Sequence, residues 1–296
     1  MSFSGEVKAE LCRQEPASRA LSQAECYGLL LFANTFTSKE IKIVTSSEEL
    51  KRRIPRLFRR AFGTGPDCEA GEEGGRAVFY TADPEKLGRI RSAFGMEPES
   101  ALHINLGALE DPGAREAFLR GAFLAGGSVT DPAKRYHLEL TTTHYFVSRE
   151  MPSLFQEMGL EPKTVSRAGS FVTYFKSSAA IEDVLTALGA PVCAMQVMSA
   201  KIEKDMKNSV NRKVNCDTAN VMKSVVASEE QIAAIRKIRR AGLMSSLPEK
   251  LRQTAEKREE LPELSLTELA AAFEPPLTKS GINHRMRKLL AIAREL

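Results

Sequence analysis

Two apolar stretches, AECYGLLLFAN (Ala24–Asn34) and REAFLRGAFLAGG (Arg115–Gly127), stand out in the first two thirds of the chain. Each is predicted to form a helix, and each carries a glycine in its interior, at Gly28 and at Gly121. Because glycine has no side chain, it allows two backbones to approach closely. The stretches therefore predict a pair of helices packed along a pseudo-twofold axis. For either stretch taken singly, a buried core helix with no further role is the favoured interpretation.

The sequence around these stretches is duplicated. IPRLF (Ile54–Phe58) returns as MPSLF (Met151–Phe155) after 97 residues, and the strand-like segment 41–43 returns as 138–140 at the same offset. Two later matches share an offset of 94: segment 78–80 with 172–174, and the helix ends at 94–95 with 188–189. Four matches in the same order indicate an internal repeat, with halves at about 20–95 and 112–190.

Each half reads as helix, strand, helix, hairpin and helix, an αβαββα order. Two such halves around a central helix pair predict an α+β domain over residues 1–195. Three further features favour a cytoplasmic protein. No apolar run is long enough to span a bilayer, no signal peptide is evident, and the five scattered cysteines indicate reduced thiols. No cofactor or metal motif is present in the sequence, and the four histidines form no H-E-x-x-H pattern.

Charge is unevenly distributed along the chain. The whole chain has a net charge of +4, but residues 197–296 hold 19 Lys and Arg against 13 Asp and Glu. A basic C-terminal third indicates that binding to a polyanion is concentrated there.

The last 32 residues, Ser265–Leu296, predict a helix, a turn and a second helix. Ser265 and Glu268 fit a capping box at the first helix, and Pro275 and Pro276 end that helix. The second helix is expected to begin near Ser280. Its apolar face is predicted to contain Ile282, Met286, Leu289 and Ala293.

The opposite side of this second helix is basic and suits docking in the major groove of duplex DNA. The predicted DNA-contacting residues are Lys279, Ser280, Asn283, His284, Arg285, Arg287 and Lys288. Asn283, His284 and Arg287 are the expected base readers, because such side chains can bond base edges. Lys279, Lys288 and the helix start at Ser280 are expected to hold phosphates. A merely solvated basic surface is the alternative.

A basic, Asn-rich helical linker is predicted over residues 196–227, with a bend or break near 208–218 because Asn weakens helices. Lys204, Lys207, Arg212 and Lys213 are possible phosphate contacts there, or simply solvated charges. Helical periodicity resumes after the linker, so a four-helix domain carrying the helix-turn-helix is predicted over 228–296.

Several widely spread segments resemble the WhiA family of bacterial sporulation and cell-division regulators. They are MSFSGEVKAEL (Met1–Leu11), FLRGAFLAGGSVTDP (Phe118–Pro132), NRKVNCDTAN (Asn211–Asn220), QIAAIRKI (Gln231–Ile238) and TKSGINHRMRKL (Thr278–Leu289). The resemblance implies that the duplicated helices are degenerate copies of the LAGLIDADG helices of homing endonucleases. It also implies that the C-terminal domain is similar to the −35-reading domain of primary sigma factors.

The family resemblance further implies a function. It implies a nucleoid-associated transcription regulator that binds double-stranded DNA at promoters of genes for cell division, chromosome segregation and, in spore-forming lineages, sporulation. Some members have a WhiB-like iron–sulfur protein as a partner. Whether the LAGLIDADG-like domain binds DNA weakly or binds a protein is left open.

The nucleases that this fold resembles carry an acidic residue at the end of each LAGLIDADG helix, and the two carboxylates hold divalent metal. Aligning Gly28 and Gly121 with the motif glycine places Ala33 and Gly126 at those positions, and neither side chain can bind metal. Asp131 lies five residues further on, in a predicted turn. We therefore expect no catalytic residue, no metal and no enzymatic activity. The two rivals are a metal-dependent endonuclease and a division or segregation factor that acts without promoter control.

Overall fold

The computed structural model describes residues 2–69, 75–97 and 101–296, and of Cys68 and Glu69 it describes only the backbone. The chain divides into two compact units, Met1–Asp205 and Met206–Leu296, which we call the N-terminal unit and the C-terminal unit. The boundary falls inside the segment 196–227 that is predicted to be a linker. Within the described ranges, no helix combines the length and the apolar character needed to cross a membrane.

The N-terminal unit begins with α1 (Phe3–Cys12) and then contains two halves with the same order of elements. The first half contains α2 (Arg19–Leu31), β1 (Thr35–Phe36), β2 (Ile41–Thr45), α3 (Glu48–Phe62), β3 (Asp67–Glu69), β4 (Ala77–Thr81) and α4 (Pro84–Ser92). The second half contains α5 (Ala114–Gly126), β5 (Gly127–Val129), β6 (Leu138–Thr142), α6 (Tyr145–Glu157), β7 (Lys163–Arg167), β8 (Ser170–Phe175) and α7 (Ser178–Leu188).

Each half forms its own four-stranded antiparallel sheet, in the order β1-β2-β4-β3 in the first half and β5-β6-β8-β7 in the second. The identical strand order confirms the predicted internal repeat and the α+β class. Each half contains one strand more than the predicted αβαββα order, because β1 and β5 each precede the strand that was predicted. These two strands are only two and three residues long. An alternating pattern needs about four residues to be recognised, so neither strand is visible in the sequence.

The two glycine-bearing helices, α2 and α5, pack directly against each other. A Cβ atom built on Gly28 would lie 1.8 Å from the carbonyl oxygen of Phe118 on α5, and one built on Gly121 would lie 1.9 Å from the carbonyl oxygen of Glu25 on α2. These contacts are reciprocal, so each helix backbone occupies the space that a side chain on the other would need. The predicted close helix pair is therefore confirmed.

The C-terminal unit contains the last part of α8 (Pro191–Arg240), followed by α9 (Glu249–Glu260), α10 (Leu266–Ala271) and α11 (Lys279–Glu295). All four helices contribute to one apolar core. Its buried members are Ile235, Ile238, Leu251, Ala255, Leu269, Ala270, Ile282, Met286, Leu289 and Ala293.

The prediction of a bend or break near residues 208–218 is wrong, because α8 is helical throughout Pro191–Arg240. Asn is less favourable than Ala in a helix by at most about 0.7 kcal/mol per residue. The segment from Lys201 to Arg240 contains neither Gly nor Pro, the residues that interrupt helices far more strongly. Scattered Asn residues alone are therefore insufficient to break this helix.

Candidate nucleic-acid interface

The helix before the turn, α10, begins with the predicted capping box. The Ser265 hydroxyl accepts a hydrogen bond from the Glu268 backbone N–H at 3.3 Å, and the Glu268 carboxylate accepts one from the Ser265 backbone N–H at 2.8 Å. These hydrogen bonds stabilise the charged carboxylate and lower the pKa of Glu268. The reciprocal bonds satisfy two orphan donors and define where α10 starts.

The helix after the turn, α11, begins at Lys279, one residue before the predicted start. Thr278 caps it, since its hydroxyl accepts a hydrogen bond from the Gly281 backbone N–H at 3.1 Å. The predicted apolar face is confirmed, because Ile282, Met286, Leu289 and Ala293 are all at most 5% exposed. This burial fixes the rotation of α11 about its own axis and therefore determines which side chains face solvent.

The solvent-facing side of α11 is basic. Lys279, Ser280, His284, Arg287 and Lys288 are exposed, and we call this set the basic face. Asn283 is half-buried at its edge. Among the residues that the structure describes, no carboxylate forms an ion pair with Lys279, Arg287 or Lys288. The cationic groups of these three residues are therefore available to bind an anion.

Arg285 differs from the other predicted contact residues. It is half-buried, and its guanidinium Nη1 donates to the Lys250 carbonyl oxygen and to the Thr254 hydroxyl, both at 3.4 Å. Both acceptors belong to α9, so Arg285 links α11 to α9. Arg285 Nη1 can bind a ligand only if these two long hydrogen bonds break.

The four predicted cations of the linker occupy different environments on α8. Arg212 and Lys213 are exposed, and so is Lys207. The Lys204 ammonium instead donates to the Pro132 carbonyl oxygen at 2.6 Å and lies 4.4 Å from the centre of the Tyr136 ring. Lys204 therefore binds within the N-terminal unit. These contacts compete with the phosphate contact that was predicted for its ammonium group.

The ends of the central helix pair hold Ala33 and Gly126, the positions where nucleases of the resembled class carry carboxylates. Ala33 packs against the core. A Cβ atom on Gly126 would lie 2.4 Å from the Thr141 carbonyl oxygen and 2.9 Å from Cδ1 of Phe32. The site at Gly126 thus lacks an acid and also lacks the space for any side chain.

In the described part of the chain, no three or more His, Cys, Asp or Glu residues lie together in a cluster that could hold a metal ion. Asp131, the nearest acid after α5, has a local role. Its carboxylate accepts a hydrogen bond from the Ala133 backbone N–H at 2.8 Å and so stabilises the turn that follows β5. This contact accounts for an acidic residue at position 131 without catalysis.

A duplicated α+β unit built on a close helix pair, followed by a unit that ends in a capped helix, a turn and a basic helix, defines a class of protein. The class has a LAGLIDADG-like domain and a C-terminal helix-turn-helix domain. Residues 115–207 match the family model of the WhiA LAGLIDADG-like domain, and residues 210–293 match that of the WhiA C-terminal HTH domain. The chain belongs to the WhiA family.

Full-length relatives support this assignment. A probable cell division protein WhiA of Ruminiclostridium cellulolyticum is 38% identical, over 100% of this chain and 98% of that protein. The protein of the same name from Clostridium acetobutylicum is 33% identical, over 100% and 98%. The crystal structure of full-length WhiA from T. maritima superposes with a TM-score of 0.61 at 25% identity, covering 100% of this chain and 99% of that one.

The fold of the N-terminal unit has its own match. The crystal structure of an isolated N-terminal LAGLIDADG domain of WhiA has a TM-score of 0.50 and 22% identity, over 64% of this chain and 92% of that one. This likeness shows the fold alone. It supports the interpretation of α2 and α5 as the two LAGLIDADG-like helices.

Proposed function

We propose that this protein is a sequence-specific DNA-binding transcription regulator, and that its LAGLIDADG-like domain has no nuclease activity. The observation that carries the proposal is the basic face of α11, whose cations have no acidic partners among the described residues and whose orientation is fixed by a buried apolar face. Its targets would be promoters of genes for cell division, chromosome segregation and, in spore-forming lineages, sporulation. The relatives named probable cell division protein support the cell-division part of this proposal.

The proposed mechanism uses α11 as the recognition helix. An α-helix fits the major groove, where an Arg can bond guanine and an Asn can bond adenine in bidentate fashion. In this mechanism Arg287 and His284, which are exposed, and Asn283, at the edge of the basic face, read base edges. Lys279, Lys288 and the backbone N–H groups at the helix start would hold phosphates and set the register. A WhiB-like iron–sulfur protein is the partner class that the family resemblance adds.

Genomic occupancy tests this proposal directly. We expect the wild-type protein to occupy discrete promoter regions and the Arg287→Ala variant to lose those peaks at equal protein level. Diffuse occupancy by the wild type would instead favour the second candidate function, a DNA-associated or protein-interaction factor in division or segregation. The basic face also supports that candidate, because unpaired cations bind DNA of any sequence.

Two substitutions in α11 are expected to act differently on DNA binding. Arg287→Ala should reduce affinity for an occupied promoter by about 1–3 kcal/mol and should relax base preference, since a bidentate base contact is lost. Lys288→Ala should weaken all duplexes alike and reduce the salt dependence by about one ion. Binding isotherms at several salt concentrations, on target and scrambled duplexes, separate the two effects.

The matched control for both variants is Arg294→Ala, which removes one exposed cation from the last turn of the same helix. We expect it to leave the ratio between target and scrambled duplex unchanged. An unchanged ratio for Arg287→Ala as well would show that this residue reads no base.

Absence of cleavage is the second expectation from the proposed function. Incubation of the purified protein with target duplex and Mg²⁺ or Mn²⁺ should leave both strands intact, because Ala33 and Gly126 provide no carboxylate to hold the ions. Metal-dependent cleavage that is lost in an Asp131→Asn variant would contradict this and would restore the endonuclease hypothesis.

A further inference from the structure

A cavity of about 730 Å³ opens in the N-terminal unit where α2 and α5 end and where α1 and α3 begin. Its lining includes Ala33 and Asn34 after α2, Ala125 near the end of α5, and Thr141 to Thr143 at the end of β6. The volume lies in the range of about 300–1,000 Å³ that is usual for sites that bind small molecules. It occupies the place between the helix ends where a nuclease of this fold class would carry out its chemistry.

Lys8, in the second turn of α1, also lines this cavity. It is half-buried, and its ammonium group lies 6.0 Å from the centre of the Phe123 ring. Among the described residues, no carboxylate forms an ion pair with it. Burial lowers the pKa of Lys8, because desolvation disfavours the charged form, although the Cys12 thiol acts in the opposite direction. A partly desolvated cation without a counter-ion is stabilised by any anion that enters the cavity.

Two helix starts lie at this end of the cavity. α1 begins at Phe3 after the cap Ser2, α3 begins at Glu48 after the cap Ser47, and both caps line the cavity. The N-terminus of a helix carries a partial positive charge and N–H donors that have no partner within the helix. In the first turn of α3 this charge is offset by the carboxylates of Glu48, which pairs with Lys51 at 2.5 Å, and of Glu49, and both residues line the cavity. The start of α1 and Lys8 therefore form the setting that suits a phosphate group.

The remainder of the lining is rich in hydroxyl and amide groups. Ser46, Thr141 and Thr143 contribute hydroxyls. The side-chain oxygen of Asn34 accepts a hydrogen bond from the Val44 backbone N–H at 2.8 Å, so the side-chain NH₂ group of Asn34 remains as a donor. Glu49 adds a carboxylate whose only hydrogen bond among the described residues is from the Ser47 hydroxyl, at 3.1 Å. A carboxylate disfavours a bare inorganic anion but accepts hydrogen bonds from the hydroxyls of a larger ligand.

We propose that this cavity binds a small phosphate ester that carries hydroxyl groups, of the sugar phosphate or nucleotide class, with Lys8 holding the phosphate. Asn34, Thr141, Thr143 and Glu49 bond the hydroxylated part. The site is distinct from the basic face of α11, and the proposal does not depend on the function proposed for that face. It gives the LAGLIDADG-like domain a ligand-binding role at the position where the carboxylates of a nuclease are missing.

Pyridoxal 5′-phosphate tests the site, because the start of α1 can hold its phosphate while its aldehyde condenses with the neutral form of the Lys8 amine and releases water. The full-length protein is treated with the probe, reduced with borohydride and digested, and the labelled lysines are identified by mass spectrometry. We expect pyridoxal 5′-phosphate to label Lys8 at least about tenfold faster than pyridoxal does, the factor that one charge-assisted hydrogen bond from an N–H at the start of α1 to the phosphate provides. The exposed Lys39 should react with the two probes at similar rates.

Competition and variants decide what the cavity holds. Ribose 5-phosphate should protect Lys8 from labelling, whereas ribose should not, and Thr141→Val should weaken that protection without changing the tyrosine emission of the folded protein. Lys39→Met is the matched control for Lys8→Met and should leave the labelling of Lys8 unchanged. Equal labelling of Lys8 with and without the phosphate on the probe would overturn the proposal. Protection by duplex DNA but not by ribose 5-phosphate would also overturn it, because the phosphate would then come from a DNA backbone.

Discussion

Replacing Gly28 by alanine is expected to destabilise the N-terminal unit by at least about 4 kcal/mol, beyond the usual cost of overpacking, and to leave it largely unfolded. The added Cβ atom would lie 1.8 Å from the Phe118 carbonyl oxygen and 2.8 Å from the Ala122 nitrogen. Both atoms belong to the backbone of α5, so no side-chain rotation relieves the overlap. The two helices would have to separate along their whole contact, which opens the core on both sides.

Tyrosine fluorescence during urea denaturation measures this effect in the intact chain. The protein has no Trp, and all five tyrosines lie between residues 27 and 174, so the emission reports on the N-terminal unit alone. Gly88→Ala is the matched control. Gly88 is an exposed interior residue of α4, and no atom of the described residues lies within 4 Å of the added Cβ atom. Because Ala favours helix over Gly by about 1 kcal/mol, this control should stabilise the unit slightly.

The decisive comparison is the sign of the change in the free energy of unfolding, which should be opposite for Gly28→Ala and Gly88→Ala. If Gly28→Ala unfolded at the same urea concentration as the wild type, the close contact between α2 and α5 would be wrong. A destabilised Gly28→Ala beside a stabilised Gly88→Ala would show that space, and not helix propensity, requires glycine at position 28.

The central helix pair could be predicted because its signal is local and doubled. Helical periodicity identifies each helix, and Gly28 and Gly121 occur at equivalent positions of a repeat whose segments match at nearly constant offsets. The start of α10 was predictable because its capping residues, Ser265 and Glu268, are three residues apart. The apolar face of α11 was predictable because its buried residues recur at helical spacing. Patterns within one element carry enough information to determine that element.

The cavity beside Lys8 could not be predicted, because it depends on contacts between distant segments. Lys8 and Thr141 are 133 positions apart in the sequence, and nothing in either local pattern indicates that they line one cavity. The role of Arg285 was missed for a similar reason. Its periodicity places it beside the basic face, but its acceptors on α9 depend on how two helices cross.

The largest single side-chain effect is expected at Glu25, a fully buried residue in the middle of α2. Its carboxylate accepts two hydrogen bonds from Arg53 on α3, at 2.6 and 2.7 Å, and lies 3.4 Å from Nη1 of Arg120 on α5. Arg53 also donates to the Cys12 carbonyl oxygen at 2.9 Å, and Arg120 donates to the Leu188 carbonyl oxygen at 2.7 Å. One carboxylate therefore connects guanidinium groups from both halves of the repeat.

Glu25→Ala should destabilise the N-terminal unit by about 3–5 kcal/mol, because Arg53 keeps its charge in the core without a counter-ion. The matched control is Glu85→Ala, which breaks the exposed pair between Glu85 and Arg89. Exposed pairs of this kind contribute little, so the control should stay within about 0.5 kcal/mol of the wild type. Urea denaturation followed by tyrosine emission compares the two variants under one set of conditions.

A double-mutant cycle distinguishes the loss of a charge pair from the loss of packing. Glu25→Leu and Arg53→Met should each be strongly destabilising. The loss of unfolding free energy in the double variant should be smaller than the sum of the two single losses, and this coupling energy should be at least about 1 kcal/mol. The reason is that removing both charges leaves no uncompensated ion between them, and apolar replacements can fill the volume. Additive effects of the two substitutions would show that each side chain acts through its shape alone. Arg120, whose guanidinium is farther from the Glu25 carboxylate, should show a weaker coupling to Glu25 in the same cycle.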